Sequence, residues 1–215
     1  MNETLDATLA GERIVLDGDR ALFWPRMRTL LVADVHFGKA HVFRRAGIGI
    51  PRGSTSKDLD RFDALIARHG ATRLLVLGDL VHGPSRDDAP WAERVRDWRR
   101  ARPALATAVV KGNHDRHFDA RALGIDVLPE PWLEPPFAFA HHPGPTPGAY
   151  TLAGHLHPGV VLAGTHERAA RLPAFRFGES VGLLPAFGSL TGLWTEAPKL
   201  GERVYVVAGG SVIAL

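Results

Sequence analysis

The 215-residue sequence predicts an α/β fold, a sandwich of two mixed β-sheets flanked by helices. Three observations predict it. The first half alternates apolar runs of strand length with amphipathic helical stretches. The second half carries short, frequent strand-like runs separated by Gly and Pro. Polar clusters follow directly on the apolar runs, where open α/β sheets bind their ligands. Neither repeat nor linker is visible, and residues 1–215 are expected to form one domain.

The elements follow in order. Ile14-Val15-Leu16 and Ala21-Leu22-Phe23-Trp24 flank Asp17-Gly18-Asp19-Arg20, which reads as a hairpin turn. Residues 29–33 are a continuous apolar run of the buried-strand kind. A loop is expected through Gly47, Gly49, Pro51 and Gly53. Leu59, Phe62, Leu65 and Ile66 then share one face of a helix, capped near Ser56 and closed by Gly70. Residues 74–77 form a second buried strand. Pro90 opens a second helix, with Trp91, Val95 and Trp98 on one stripe, stopping before Pro103. Residues 108–110 form a third strand, and short strands are expected at 137–140, 150–153, 160–162 and 204–207.

Composition narrows the function classes. With 45% hydrophobic and 23% charged residues the chain is globular rather than disordered. No apolar run of eighteen residues exists, so no membrane span is expected. The first six residues, Met1-Asn2-Glu3-Thr4-Leu5-Asp6, do not resemble a secretory signal, and a cytoplasmic location is expected. There is no cysteine, hence neither a disulfide framework nor a thiolate ligand, and any metal must be held by His, Asp, Glu, Asn or backbone. Lys plus Arg is 26 against 23 acids, a net charge of only +3, which is a weak pointer to nucleic acid. The eleven histidines are more informative, because of where they stand.

Five polar clusters interrupt the apolar runs, each just past an expected strand: Asp34-Val35-His36, Gly78-Asp79-Leu80-Val81-His82, Gly112-Asn113-His114-Asp115, His141-His142 and Gly154-His155-Leu156-His157. In extended chain alternate side chains point the same way, so Asp34 and His36 can face one point, as can His155 and His157. Imidazole nitrogens with carboxylate oxygens suit Mn, Fe, Co or Zn better than Ca or Mg. A carboxylate shared by two cations, with Asp79 the natural choice, would give a two-metal site for phosphoryl chemistry. A lone Asp-x-His or His-x-His pair is chance; the ordered set is not.

That ordered set, D-x-H, GD-x-x-H, GNH-D, a lone H after a strand and GH-x-H, resembles the calcineurin-like metallophosphoesterase superfamily. Two further stretches, HFGKAHVFRRAGIGIPRGST at 36–55 and LPAFGSLTG at 184–192, are similar to a narrower group, the bacterial ligase-associated DNA damage response endonucleases. The resemblance spans about residues 10 to 195. It implies a binuclear metal-dependent phosphodiesterase, a Mn-dependent DNA endonuclease of a ligase-associated repair system. The implied substrate is single-stranded or damaged DNA, in functional association with a DNA ligase and a helicase. It implies one metal held by Asp34, His36, Asp79 and His157, and a second by Asp79, Asn113, His141 and His155. Water activated by the cations would attack phosphorus in line. His114 would assist the leaving oxygen, with His82 and Asp115 orienting His114 or the ligands.

Several assignments stay open in the sequence. His141 is favoured over its neighbour His142 as the ligand, because it follows the strand directly. Lys39, Arg44 and Arg45 read either as contacts to a phosphate backbone or as solvated loop charge. Arg94, Arg96, Arg99, Arg100 and Arg102 crowd the second helix among Glu93 and Asp97, which reads as a solvated outer face. Trp91 and Trp98 stand at helical core spacing, with base stacking the rival reading. The remaining histidines outside the motifs (His41, His69, His117, His166) are assigned to surface or packing, and LPAFG to backbone shape near the site. Two other functions remain: a diesterase of small or cyclic nucleotides, and a non-catalytic binding scaffold on the same fold.

Overall fold

The computed structural model describes residues 4–82, 89–116, 118–162 and 169–215. His117 and His166, both assigned to surface or packing, lie outside the described residues. The first sheet runs in chain order: β1 (Thr4–Leu9), β2 (Glu12–Asp17), β3 (Ala21–Trp24), β4 (Thr29–Val32), β5 (Arg73–Leu77), β6 (Ala106–Val110) and β7 (Asp126–Leu128). Pairing is antiparallel from β1 to β4 and parallel from β4 to β7. Parallel neighbours need a crossover. Helix α2 (Ser54–His69) supplies it between β4 and β5, and α3 (Pro90–Arg100) between β5 and β6. A short helix, α1 (Lys39–Arg45), precedes α2.

The second sheet holds β8 (Trp132–Glu134), β9 (Phe137–Ala140), β10 (Tyr150–Ala153), β11 (Gly159–Leu162), β12 (Ala170–Phe177), β13 (Val181–Leu183), β14 (Arg203–Ala208) and β15 (Ser211–Ala214). Its order is β15-β14-β12-β13-β10-β9-β8, with β11 paired to β12. Strand β10 is parallel to β9 and β13, and the other pairs are antiparallel. Both sheets are therefore mixed, as the sequence predicts.

Strand alternation divides the core in two. Leu30, Val32, Leu74 and Val76 point to the outer face and pack on Phe62, Leu65, Val95 and Trp98 of the helices. Leu31, Leu75, Leu77 and Val110 point inward and meet Phe137, Phe139, Phe175 and Tyr205 of the second sheet. That is why these runs read as uniformly apolar: β4 and β5 are covered on both faces. The helical layer lies on one side only. The smaller clusters of the second sheet, Val160 with Ala174, Val204 and Val206, and Ala140 with Ala153 and Leu183, contain no helical residue. No helix among the described residues is long and apolar enough to cross a membrane.

Three expectations need correction. The loop expected to follow the 29–33 run and pass through Gly47 to Gly53 contains α1, too short at seven residues to show helical periodicity. Helix α2 starts at Ser54, not near Ser56; its N-cap is Gly53, whose left-handed φ of 95° replaces a side-chain cap. Strands β1, β7, β8, β12, β13 and β15 have no counterpart in the expected elements: five are short or half exposed and held by their neighbours' ladder, and β12 carries Arg171, Pro173 and Arg176 within its run.

The turn between β2 and β3 also ties three parts of the fold together. The fully buried Asp17 carboxylate accepts from the Asp19 amide at 2.8 Å and from Arg68 at 2.7 Å, and meets His69 Nε2 at 2.8 Å. His69 stacks on Phe23, the packing role expected of it. Arg61, also on α2, donates to the carbonyls of Asp19 (2.6 Å) and Phe187 (2.9 Å), with its guanidinium 3.8 Å above the Phe187 ring. Arg20 donates to the Ala186 carbonyl at 3.2 Å. The turn, α2 and the LPAFG segment are thus tied into one unit.

Burial alone would raise the Asp17 carboxyl, but the bonds from His69, the Asp19 amide and Arg68 outweigh it and hold the group below its ordinary value. Its contribution is therefore present above the unfolded carboxyl range, about 3.9, and is lost as pH falls through the lowered value. Asp17→Asn is expected to cost about 3 kcal/mol in urea denaturation at pH 7, because it leaves Arg68 without its buried partner. The deficit should shrink steadily below about pH 4; a deficit that stays constant into acid contradicts this assignment.

Candidate metal centre

The centre forms where the carboxyl ends of five parallel strands meet across the two sheets. Asp34 and His36 follow β4, Asp79 and His82 follow β5, and Asn113, His114 and Asp115 follow β6. From the other sheet, His141 and His142 follow β9, and His155 and His157 follow β10. The loops extend the parallel ladder: the amides of Asp34, His36 and Phe37 donate to the carbonyls of Gly78, Asp79 and Leu80 at 3.2, 2.8 and 2.8 Å. On the other side Phe187 and Gly188 of LPAFG donate to the carbonyls of Ala33 and Asp34. The backbone role expected of that segment is what it performs.

Five site residues carry left-handed backbone: Asp34 (φ 53°), His36 (53°), Asp79 (50°), His155 (72°) and His157 (52°). They make up five of the eight described non-glycine residues with positive φ. Each such residue costs on the order of 1 kcal/mol or more, and persists only where the surroundings over-determine it. The glycines of the motifs have a related cause. A Cβ on Gly78 would collide with the His141 ring, and one on Gly112 with the main chain of Asp79. Only glycine lets these loops approach so closely.

The side chains converge on two adjoining points. At the first, His36 Nε2 lies 3.4 Å from His157 Nε2 and 3.8 Å from Asp79 Oδ2, and His157 Nε2 lies 3.6 Å from Asp34 Oδ1. At the second, His141 Nε2 lies 2.9 Å from Asn113 Oδ1, 3.0 Å from His155 Nδ1 and 3.5 Å from Asp79 Oδ1. Asp79 thus turns one oxygen to each point. Asp34, His36, Asp79 and His141 are buried, and the carboxylates of Asp34 and Asp79 have no Lys or Arg in ion-pair contact among the described residues. Burial foremost, then Lys39 and the surrounding histidines, holds His36 down at about 2, so its imidazole is neutral and offers a lone pair. His82 is lowered to about 4 by burial, Lys39 and His114, and His155 is lowered by burial and by His141 and His142. Imidazole nitrogens 3.0–3.4 Å apart around two buried carboxylates fit divalent cations as the missing charge. The triads Asp34–His36–His157 and Asp34–Asp79–His141 each bring their ligand atoms within 4.8 Å of one another.

The rim is ordered by the same loops. His114 donates its amide to Asp79 Oδ1 at 2.9 Å, and its ring, 37% exposed, stacks on His82. His82 Nδ1 is 3.3 Å from His36 Nδ1, which makes His36, His82 and His114 a further triad of potential donors. Asp115 serves the main chain: its carboxylate accepts from the amides of Val81 (3.0 Å) and Gly112 (2.9 Å), pinning one loop to the next. His141 is wholly buried and aimed inward, whereas His142 is half exposed beside Glu130. Glu130 is the residue that sequence reasoning missed. Its Oε1 accepts from the amides of both His141 (2.8 Å) and His142 (2.6 Å), and no local motif marks it. Lys39 is half buried and turned toward Asp79 and Asp34, whose charges counter the lowering that burial imposes on its ammonium. Arg44 is tied to the carbonyls of Ile50 and Pro51, and Arg45 is exposed at the end of α1.

Asp115 gives this arrangement a direct test. Asp115→Ala leaves two buried N–H groups unpaired, at about 1–3 kcal/mol each, and frees both loops. Titration calorimetry with Mn should find affinity reduced about 10- to 100-fold, with Asp115→Asn, which keeps an acceptor, closer to the parent. Parental affinity in Asp115→Ala would show that the loops hold themselves.

Comparison with known proteins agrees with this geometry. The calcineurin-like phosphoesterase family matches residues 27–213. Among solved structures, the Pseudomonas putida nuclease MPE is similar at 38% identity and a TM-score of 0.86, covering 99% of this chain and 100% of its own. YfcE, a phosphoesterase from E. coli, is similar at 20% identity with a TM-score of 0.44, covering 86% of this chain and 96% of its own. No curated protein sequence matches. With the family's ordered motifs converged on one centre, the chain belongs to the calcineurin-like phosphoesterase family and is a hydrolase of phosphate esters.

Proposed function

We propose that the chain is a Mn-dependent DNA endonuclease of a ligase-associated repair system, working in the cytoplasm as one domain over residues 1–215. The observation that carries the reading is the convergence of seven donors on two points that share Asp79. Full-length similarity to a nuclease at 38% identity supports a nucleic-acid substrate. Single-stranded or damaged DNA, and an association with ligase and helicase, rest on the resemblance of residues 36–55 and 184–192.

Asp34, His36, Asp79 and His157 would hold one cation, and Asp79, Asn113, His141 and His155 the other. Such a pair, when bound, lowers the pKa of water toward neutrality and neutralises charge on phosphate oxygens. The chain's own residues do the rest. Asn113 contributes a neutral oxygen, which keeps the negative charge at the second point low. His114 stands partly exposed over Asp79, where its ring can give a proton to the leaving oxygen. His82 stacks beneath it and fixes its plane, and Asp115 sets the loop that carries it. Lys39, with His142 on the opposite rim, is suited to contact the phosphodiester directly.

The test is metal analysis together with Mn-dependent cleavage of single-stranded DNA and of a chromogenic diester. Asp79→Ala should lose bound metal and both activities. His114→Ala should keep both metals and lose turnover by about 10²–10⁴-fold. Full activity in His114→Ala removes its role as acid, and a parent enzyme that hydrolyses only the chromogenic diester removes the nuclease reading.

A further inference from the structure

A cavity rich in arginine opens among α1, the loop after it and the start of α3. The cavity, of about 510 Å³, is lined by His41, Arg44, Arg45, Arg52, Ser54 and Arg94, among others, and no described lining residue is acidic. Its size is that of a ligand pocket rather than a packing defect. Four guanidiniums share it in a chain whose net charge is only +3, so the positive charge is concentrated here rather than spread. The forks are arranged from three different elements. Arg44 is steadied by the Ile50 and Pro51 carbonyls, and Arg94 donates to Ser56 Oγ at 2.8 Å, while Arg45 and Arg52 show no carboxylate partner among the described residues. A narrow cleft lined by His36, Lys39, Ser54, Thr55 and Asp58, among others, shares Ser54 and Thr55 with the cavity, so the cavity lies next to a cleft that reaches His36. Arg94 is exposed, as expected of the outer face of α3, and it also lines this cavity. Two others on or near that helix are structural: Arg102 bridges to Asp63 and lies over Trp98, and Arg99 donates to Gly124. Trp91 touches the cavity wall but, like Trp98, is buried as core, so the groups the cavity chiefly offers are the guanidiniums and the His41 ring.

Guanidinium forks match phosphate oxygens in pairs, and clustering them without acids is favourable only opposite a polyanion. We propose that this cavity binds a phosphodiester of the substrate strand flanking the one at the metal centre, and so selects a polynucleotide over small phosphate esters. The inference rests on the nuclease reading above and makes it specific: the strand is measured through its backbone at two places, one chemical and one purely electrostatic.

The experiment uses the Mn-loaded, full-length protein and the double variant Arg52→Ala/Arg94→Ala. Cleavage of a single-stranded oligonucleotide is followed beside hydrolysis of the chromogenic diester, and the same oligonucleotide is tested as an inhibitor of the diester reaction. The variant should raise both KM and the inhibition constant for the oligonucleotide at least tenfold, with diester kinetics unchanged. The slope of log affinity against log salt should flatten by about 0.7, the share of the one single-strand phosphate that is no longer neutralised. Arg52→Lys/Arg94→Lys should recover most of the salt slope, since it keeps the charge and gives up only the fork. Unchanged inhibition and slope overturn the subsite, as does an equal loss on both substrates or an effect confined to strands with a terminal phosphate. An oligonucleotide that inhibits the parent but is never cut would sink the nuclease reading and leave the subsite standing.

Discussion

The fold is organised around two buried carboxylates, Asp34 and Asp79, with no Lys or Arg in ion-pair contact among the described residues. A carboxylate taken out of water is costly unless something of opposite charge stands against it. Here the surroundings are histidines, His36 and His82 among them held below their ordinary range chiefly by burial, together with one half-buried lysine. Left-handed backbone at Asp34, His36, Asp79, His155 and His157 adds conformational strain at the same place. The strain is sustained by the two hydrophobic layers on either side of β4 and β5, which are buried on both faces and leave the strand ends little freedom. The cations implied by the donor set would complete the charge.

Rigidity reaches the centre along two routes. One is the extended ladder among the first three loops, with Asp115 tying Val81 to Gly112. The other is LPAFG, pressed against Ala33 and Asp34 and held from behind by Arg20 and Arg61, which answer in turn to the Asp17 turn. A polar cluster far from any ligand thereby takes part in setting the position of Asp34. On the second sheet Glu130 does the same for His141 and His142 through their amides. The centre is therefore built by main-chain hydrogen bonds, and the ligand side chains follow.

Legibility in the sequence tracked how local the determining forces were. Strands β4, β5 and β6 and helices α2 and α3 could be read because burial on two faces, or on one stripe, writes itself into every residue of the segment. Strand β1 could not, since its pattern of alternating exposure is set by pairing with β2. Helix α1 hid in a stretch read as loop, being shorter than two helical turns' worth of pattern. Of the site, the donors were readable from their ordered motifs. Glu130 was not, because an acid that binds two amides eleven and twelve residues away leaves no spacing to recognise.

From the sequence alone came the α/β class and the identities of the potential ligands, because residue chemistry and strand-length periodicity are properties of contiguous chain. Only tertiary structure decided that His141 turns inward while His142 stays at the rim, that Asp115 serves the main chain, and that Arg94 joins Arg44, Arg45 and Arg52 around one cavity. Those outcomes depend on how segments scores of residues apart approach each other. Such distances are fixed by packing between sheets and helices, and no single stretch of sequence contains them.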